Sequence, residues 1–196
     1  MFNLRFSCLP LLFIAFIEMS MAGSNSLELT VKTTVAPGTC TMQLYDNNHS
    51  PGSTINIGDV YIPEVINKSK AVPFSLVFSD CTGLAKEQAI VIMTSTTGCD
   101  GVGGSGNSYK NALSSAGAAS GVSAEVWTTE TPQSTGSKQL TCKAAPQNIV
   151  DVSGAKDQNT VVWPLSTRIV PETGKTTNDL QPGSFATQAV FTVQYE

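Results

Sequence analysis

Apolar positions along this chain recur mostly at a period of two, with turn residues between the runs, and helical periodicity is almost absent. Leu27, Leu29, Val31 and Val35 alternate with polar residues. The run Ile55-Asn56-Ile57-Gly58-Asp59-Val60 follows Pro51-Gly52. Apolar and β-branched residues fill 72–78 and lead to Cys81, and 88–93 repeats that texture. Alternation returns over 121–128, 160–170 and 184–195, the last two separated by a loop at 171–183 that contains Pro and Gly. About seven short strands with turns between them predict an all-β chain folded as an antiparallel β-sandwich. Neither an internal repeat nor a domain linker interrupts the pattern.

The amino-terminal segment departs from it. Arg5 and the amino terminus precede an apolar stretch at 9–17, and Ser20-Met21-Ala22 places small residues where a signal peptidase reads. Residues 1–22 are therefore expected to be a secretory signal peptide cleaved after Ala22. The apolar run is about half the roughly 20 residues that a membrane-spanning helix needs. Cys8 falls inside this leader, which leaves Cys40, Cys81, Cys99 and Cys142. An even number in an exported chain predicts disulfides, and spacing alone permits three connectivities.

Composition narrows the function. At 196 residues the chain suits one domain with one sizeable core, and 41% hydrophobic against 13% charged residues is too apolar for disorder. The net charge of −4, with neither sign in blocks, argues against nucleic acid or a polybasic membrane contact. One histidine, His49, and the lack of a Cys-x-x-Cys pair argue against a zinc site or a His-based triad. His49 sits in the turn-like Asp46-Asn47-Asn48-His49-Ser50-Pro51-Gly52, so a solvated loop role is expected. The acidic residues scatter over polar strand faces and loops without forming a catalytic pair.

Residues 98–121 are rich in Gly, Ser and Ala and contain Gly101-Val102-Gly103-Gly104-Ser105-Gly106, a formal G-x-G-x-x-G with Glu125 about 20 residues on. A dinucleotide site needs a helix opening at the third glycine and a βαβ context. Residues 107–121 have little apolar face, and Glu125 falls on the polar side of an alternating strand. The segment is read as a flexible loop. Asn67-Lys68-Ser69 is a formal glycosylation sequon of low specificity, and Trp127 and Trp163 are expected in the core or on a sheet face. No cofactor, metal or enzymatic activity is expected.

The two ends of the mature chain resemble the subunits of bacterial fimbriae assembled by the chaperone–usher route, in particular the minor subunits of type 1-like fimbriae. The run from Gly183 through Phe185, Ala189, Phe191 and Val193 to Tyr195 and Glu196 is similar to that family's last strand, with glycine fourteenth and tyrosine second from the end. Cys40 and Cys81 match the family disulfide between the first two strands. Pro73-Phe74-Ser75-Leu76 leads to the second cysteine, and Ile57-Gly58-Asp59-Val60 resembles the apolar-Gly-x-Val stretch between them. The resemblance implies an immunoglobulin-like sandwich that lacks its final strand and is completed by a donor strand from another chain, first a chaperone and then the next subunit. It implies a donor extension at 23–36, with Leu27, Leu29, Val31, Thr33 and Val35 as the donor side chains, and a pilin domain at 37–196. Thr33 stands where a glycine is common. Cys99 and Cys142 are extra to the minimal pattern; they are expected to pair, tying the Gly-rich loop to a hairpin over 124–142, with cross-pairing to Cys40 or Cys81 as the alternative.

The resemblance further implies a non-enzymatic subunit, exported through the periplasm to the cell surface, contributing to cell adhesion. Its partners would be a periplasmic fimbrial chaperone, an outer-membrane usher and neighbouring subunits. The competing expectation is a single-domain sugar- or receptor-binding adhesin module at or near the fimbrial tip, which would add a host receptor or glycan as partner and use the 98–142 region as its surface.

Overall fold

The computed structural model describes residues 31–34 and 36–196. Of the expected leader and donor extension, residues 1–30 and Val35 lie outside the described residues. Val31 to Thr34 form no strand, and the Val31 side chain is exposed.

The 36–196 unit is a sandwich of two antiparallel sheets. In chain order its elements are β1 (Thr39–Tyr45), β2 (Pro51–Gly52), α1 (Ile62–Asn67), β3 (Ala71–Thr82), β4 (Gln88–Ser95), β5 (Tyr109–Lys110), β6 (Val122–Trp127), β7 (Asn148–Asp151), β8 (Thr160–Pro171) and β9 (Ala189–Tyr195), with single 3-10 turns at Val102–Gly104 and Thr177–Asp179. One sheet has the order β2-β1-β3-β8-β6-β5 and the other β7-β4-β9.

The alternation in sequence becomes the two faces of each strand. On β3, Phe74, Leu76 and Phe78 point inward and are buried; on β4, Ala89, Val91 and Met93 do the same. Leu165 and Ile169 of β8 and Val122, Ala124 and Val126 of β6 complete the core. Burying one such Leu, Val or Phe side chain contributes about 1.5 to 3 kcal/mol.

The structure corrects several expectations. Residues 55–60 form no strand, because Gly58 turns to a φ of 68° and its N–H is taken by the Asn56 side chain. Ile55, Ile57 and Val60 nevertheless pack against the core. The last strand begins at Ala189, not Ser184: residues 184–186 are held by Asn111, whose Nδ2 donates to Ser184 O and whose Oδ1 accepts from Ala186 N. A short helix, α1, was not expected. Tyr61 caps it, its N–H donating to the Glu64 carboxylate at 2.8 Å, and Pro63 fits the first turn, where an N–H has no helical partner.

Disulfides join Cys40 to Cys81 and Cys99 to Cys142. The first links β1 to β3 at a bulge, where pairing slips by one residue between Thr39 and Thr41 and Asp80 takes a φ of 51°. The second ties the Gly-rich loop to the end of a hairpin in which Leu140 N donates to Val126 O and Thr128 N to Lys138 O. The loop is anchored rather than flexible. Asp100 is buried and accepts from Ser108 N, Thr173 N and the hydroxyls of Thr173 and Ser123 at 2.8 to 3.2 Å. A Cβ at Gly106 would overlap the Asp100 carboxylate, so the glycine there serves close packing, with no helix opening behind it.

Candidate functional site

The cover over the core changes from strand to strand. Val91 and Met93 on β4 are 1% and 8% exposed, but their register partners on β9, Val193 and Phe191, are only half-buried although they share the same inner face. The same holds in the other sheet. Leu76 and Phe78 of β3 are fully buried, whereas Leu44 and Met42, opposite them on β1, are half-buried. Ala189, Phe191, Val193 and Tyr195 of β9, and Cys40, Met42 and Leu44 of β1, all pack against the core without closing it.

β9 is also an edge strand. Gln88 and Glu196 exchange both backbone hydrogen bonds, at 2.9 and 3.3 Å, and Thr96 N donates to Gln188 O. Antiparallel pairing alternates from there, so Gln194, Thr192 and Val190 turn their backbone groups toward β4. The N–H and C=O groups of Ala189, Phe191, Val193 and Tyr195 therefore point to the free edge, and these four residues also carry the inward apolar side chains. An edge that exposes both unpaired backbone and core side chains is a template for another strand. On β1, β2 covers only Leu44 and Tyr45.

Other sequence-predicted positions are distributed as follows. Gly183 and Phe185 precede β9. A Cβ at Gly183 would lie 2.6 Å from both Ala118 C and Ala119 N, where Ser184 N donates to Gly117 O, so the glycine permits a close backbone crossing. Phe185 packs against the core. The Glu196 side chain pairs with Lys86 at 2.8 Å. Partial burial raises the Tyr195 phenol above its ordinary value. His49 lies exposed in its turn at a φ of 57°. Among the described residues no group of His, Cys, Asp and Glu could hold a metal ion, and no helix is long and apolar enough to cross a membrane.

Glu125, expected on the polar side of its strand, lies on that outward side but is buried there. Its Oε2 lies 2.8 Å from both Nε and Nη2 of Arg168, the latter without hydrogen-bond geometry, and accepts from Trp127 Nε1 at 3.0 Å. The Arg168 guanidinium also lies over the Trp127 ring, 5.6 Å from its centroid. Chain separation hid this pair, since register on adjacent strands β6 and β8 is what sets Glu125 beside Arg168.

Residues 27–196 match the family described as Fimbrial protein. The chain belongs to that family. It is 36% identical over 196 residues to an Escherichia coli (strain K12) protein described as the uncharacterized fimbrial-like protein YadL, a match covering 98% of this chain and 97% of that protein. The sandwich, with its two disulfides, is the immunoglobulin-like fold of a fimbrial subunit. Such subunits are structural, associate with one another and build a surface fimbrium.

Proposed function

We propose that this chain is a structural subunit assembled by the chaperone–usher route through donor-strand exchange, contributing to cell adhesion as part of the fibre. One observation carries the reading: β9 offers unpaired backbone groups and half-covered apolar side chains from the same residues, Ala189, Phe191, Val193 and Tyr195. β1, with Met42 and Leu44, would form the facing wall of one groove. A strand laid along β9 satisfies the edge and covers the core in one step. Chaperone–pilin pairing is a known instance of this β-strand addition. In the periplasm a chaperone strand would fill the groove, and at the usher the 23–36 extension of the next subunit would replace it. In that extension Leu27, Leu29, Val31, Thr33 and Val35 would face inward, with Gly183 and Phe185 setting the entry to β9 and Glu196 its end.

Deleting residues 23–36 tests the assignment. The truncated chain should still co-purify with its chaperone, because its own groove is intact, but it should fail to donate to a neighbour. Polymers formed by the truncated chain would refute it.

A further inference from the structure

A second concavity, of about 500 Å³, lies over the other sheet. Its floor is Glu125 on the outward face of β6, and its walls come from the Gly-rich loop, the 171–175 loop, the 126–140 hairpin and the end of α1. We propose that this cleft binds a neutral sugar of one or two rings. It lies on the sheet that does not contain β9, and although that sheet includes β1, the other wall of the strand groove, no residue of β1 or β9 lines the cleft.

The cleft is a built site rather than a gap between loose loops. Asp100 ties three of its parts together, accepting from Ser108 N on one wall, Thr173 N and Oγ1 on another, and Ser123 Oγ beside the floor. The Cys99 to Cys142 bridge fixes the Gly-rich loop to the segment just after the hairpin. Glu125 is held from behind by Arg168 and Trp127 through Oε2, while Oε1 meets only Lys68 Nζ at 3.5 Å and keeps capacity to accept from a ligand hydroxyl.

The lining chemistry selects the ligand. Lys68 and Lys175 balance Glu125 and Glu172, so there is no net charge to attract an ion. The lining is mainly polar, and an apolar ligand would strip water from these groups without replacing its hydrogen bonds. The side-chain amides of Asn107 and Gln139 make no hydrogen bond within the described residues, and each can donate and accept. Paired donors and acceptors around a volume in the range of small-molecule sites suit a polyhydroxylated, uncharged molecule.

The test uses the full mature chain as recovered from the periplasm, whatever strand accompanies it. Saturation-transfer NMR would screen glucose, galactose, mannose, N-acetylglucosamine, lactose and N-acetylneuraminate. At least one neutral sugar should bind with a Kd on the order of 1 mM. The double variant Asn107→Ala, Gln139→Ala should weaken it at least about tenfold, through loss of two hydrogen bonds, while leaving the thermal midpoint unchanged. Because both side chains lack internal partners, a folding failure is not expected, and circular dichroism checks this. No neutral sugar bound at about 20 mM, or binding indifferent to the double variant, would overturn the proposal. So would binding of N-acetylneuraminate alone that fades with salt, which would make Lys68 and Lys175 the determinants of an anion site.

Discussion

Removing the Glu125 carboxylate would leave the Arg168 guanidinium buried without its counter-charge. Breaking a buried pair from one side costs more than the pair itself contributes, because the orphaned ion keeps its desolvation penalty. Glu125→Ala should therefore destabilise the domain by about 3 to 5 kcal/mol, and adding Arg168→Met should recover most of that. Urea unfolding of both variants measures the difference; a single variant costing under about 1 kcal/mol would contradict the account. Tyr109 gives a second residue-scale expectation. It is fully buried, its hydroxyl donates to Leu140 O at 3.0 Å, and burial pushes its phenol well above the ordinary value. Below about pH 10 the phenol is neutral in both states, so stability is flat. As pH rises past that point the unfolded chain releases the proton while the folded one holds it, so stability falls. Tyr195, also raised, acts in the same direction. Tyr109→Phe should remove most of this alkaline loss, as read from thermal midpoints between neutral pH and about pH 11.

Among the elements, β9 concentrates the consequences of a small change. A chain ending at Gln194 loses the Tyr195 side chain from the inner face, the last free-edge backbone pair, and the Glu196 contacts with Gln88 and Lys86. Truncating an interface anchor typically costs at least about 2 kcal/mol, roughly thirtyfold in affinity. The shortened chain should fail to co-purify with its chaperone and be degraded, whereas Gln188→Ala, on an exposed outer position, should behave normally. A shortened chain that accumulates as a soluble monomer would make the sandwich self-sufficient. The strands that carry the core were legible because burial on one face imposes period two: Phe74, Leu76 and Phe78 on β3, and Ala89, Val91 and Met93 on β4. The same rule misled at Ile55 and Ile57, since alternation reports a buried side and not a partner strand. β2, β5 and β7, at two to four residues, and α1, at six, are too short to impose a period. Of the assembly edge, the alternation of Ala189 to Tyr195 could be read from sequence, but the boundary at Ala189 could not, because it depends on Asn111 holding Ser184 and Ala186. The cleft was legible only in part: Asn107, Glu125 and Gln139 fall in the 98–142 region expected as a binding surface, but Lys68 and the 171–175 loop join them only through strand register and Asp100.

At the scale of the molecule, the two sheets that the described residues form are unequal, six strands against three, and the smaller one ends in an open edge. A fourth strand beside β9 would pair its free backbone groups and cover Phe191 and Val193 on one side and Met42 and Leu44 on the other. Stability should then depend on the concentration of whatever supplies that strand. A ligand that binds only the folded state raises stability with the logarithm of its excess over Kd, by about 2.7 kcal/mol at a hundredfold excess. A synthetic peptide with the sequence of residues 23–36, added to the 37–196 domain released from its chaperone, should raise the unfolding midpoint and continue to raise it as more is added. Replacing Leu29 and Val31 in the peptide by Asp should abolish the effect, because an unpaired carboxylate cannot be buried against the core without a large penalty. Hydrogen exchange supplies the local check: the amides of Phe191, Val193 and Tyr195, which face the free edge, should gain protection, while those of Thr192 and Gln194, already bonded to β4, should change little. Should the midpoint stay fixed across a hundredfold range of peptide, with those amides already protected in its absence, the edge is closed by other means and donor-strand completion is not how this subunit is held.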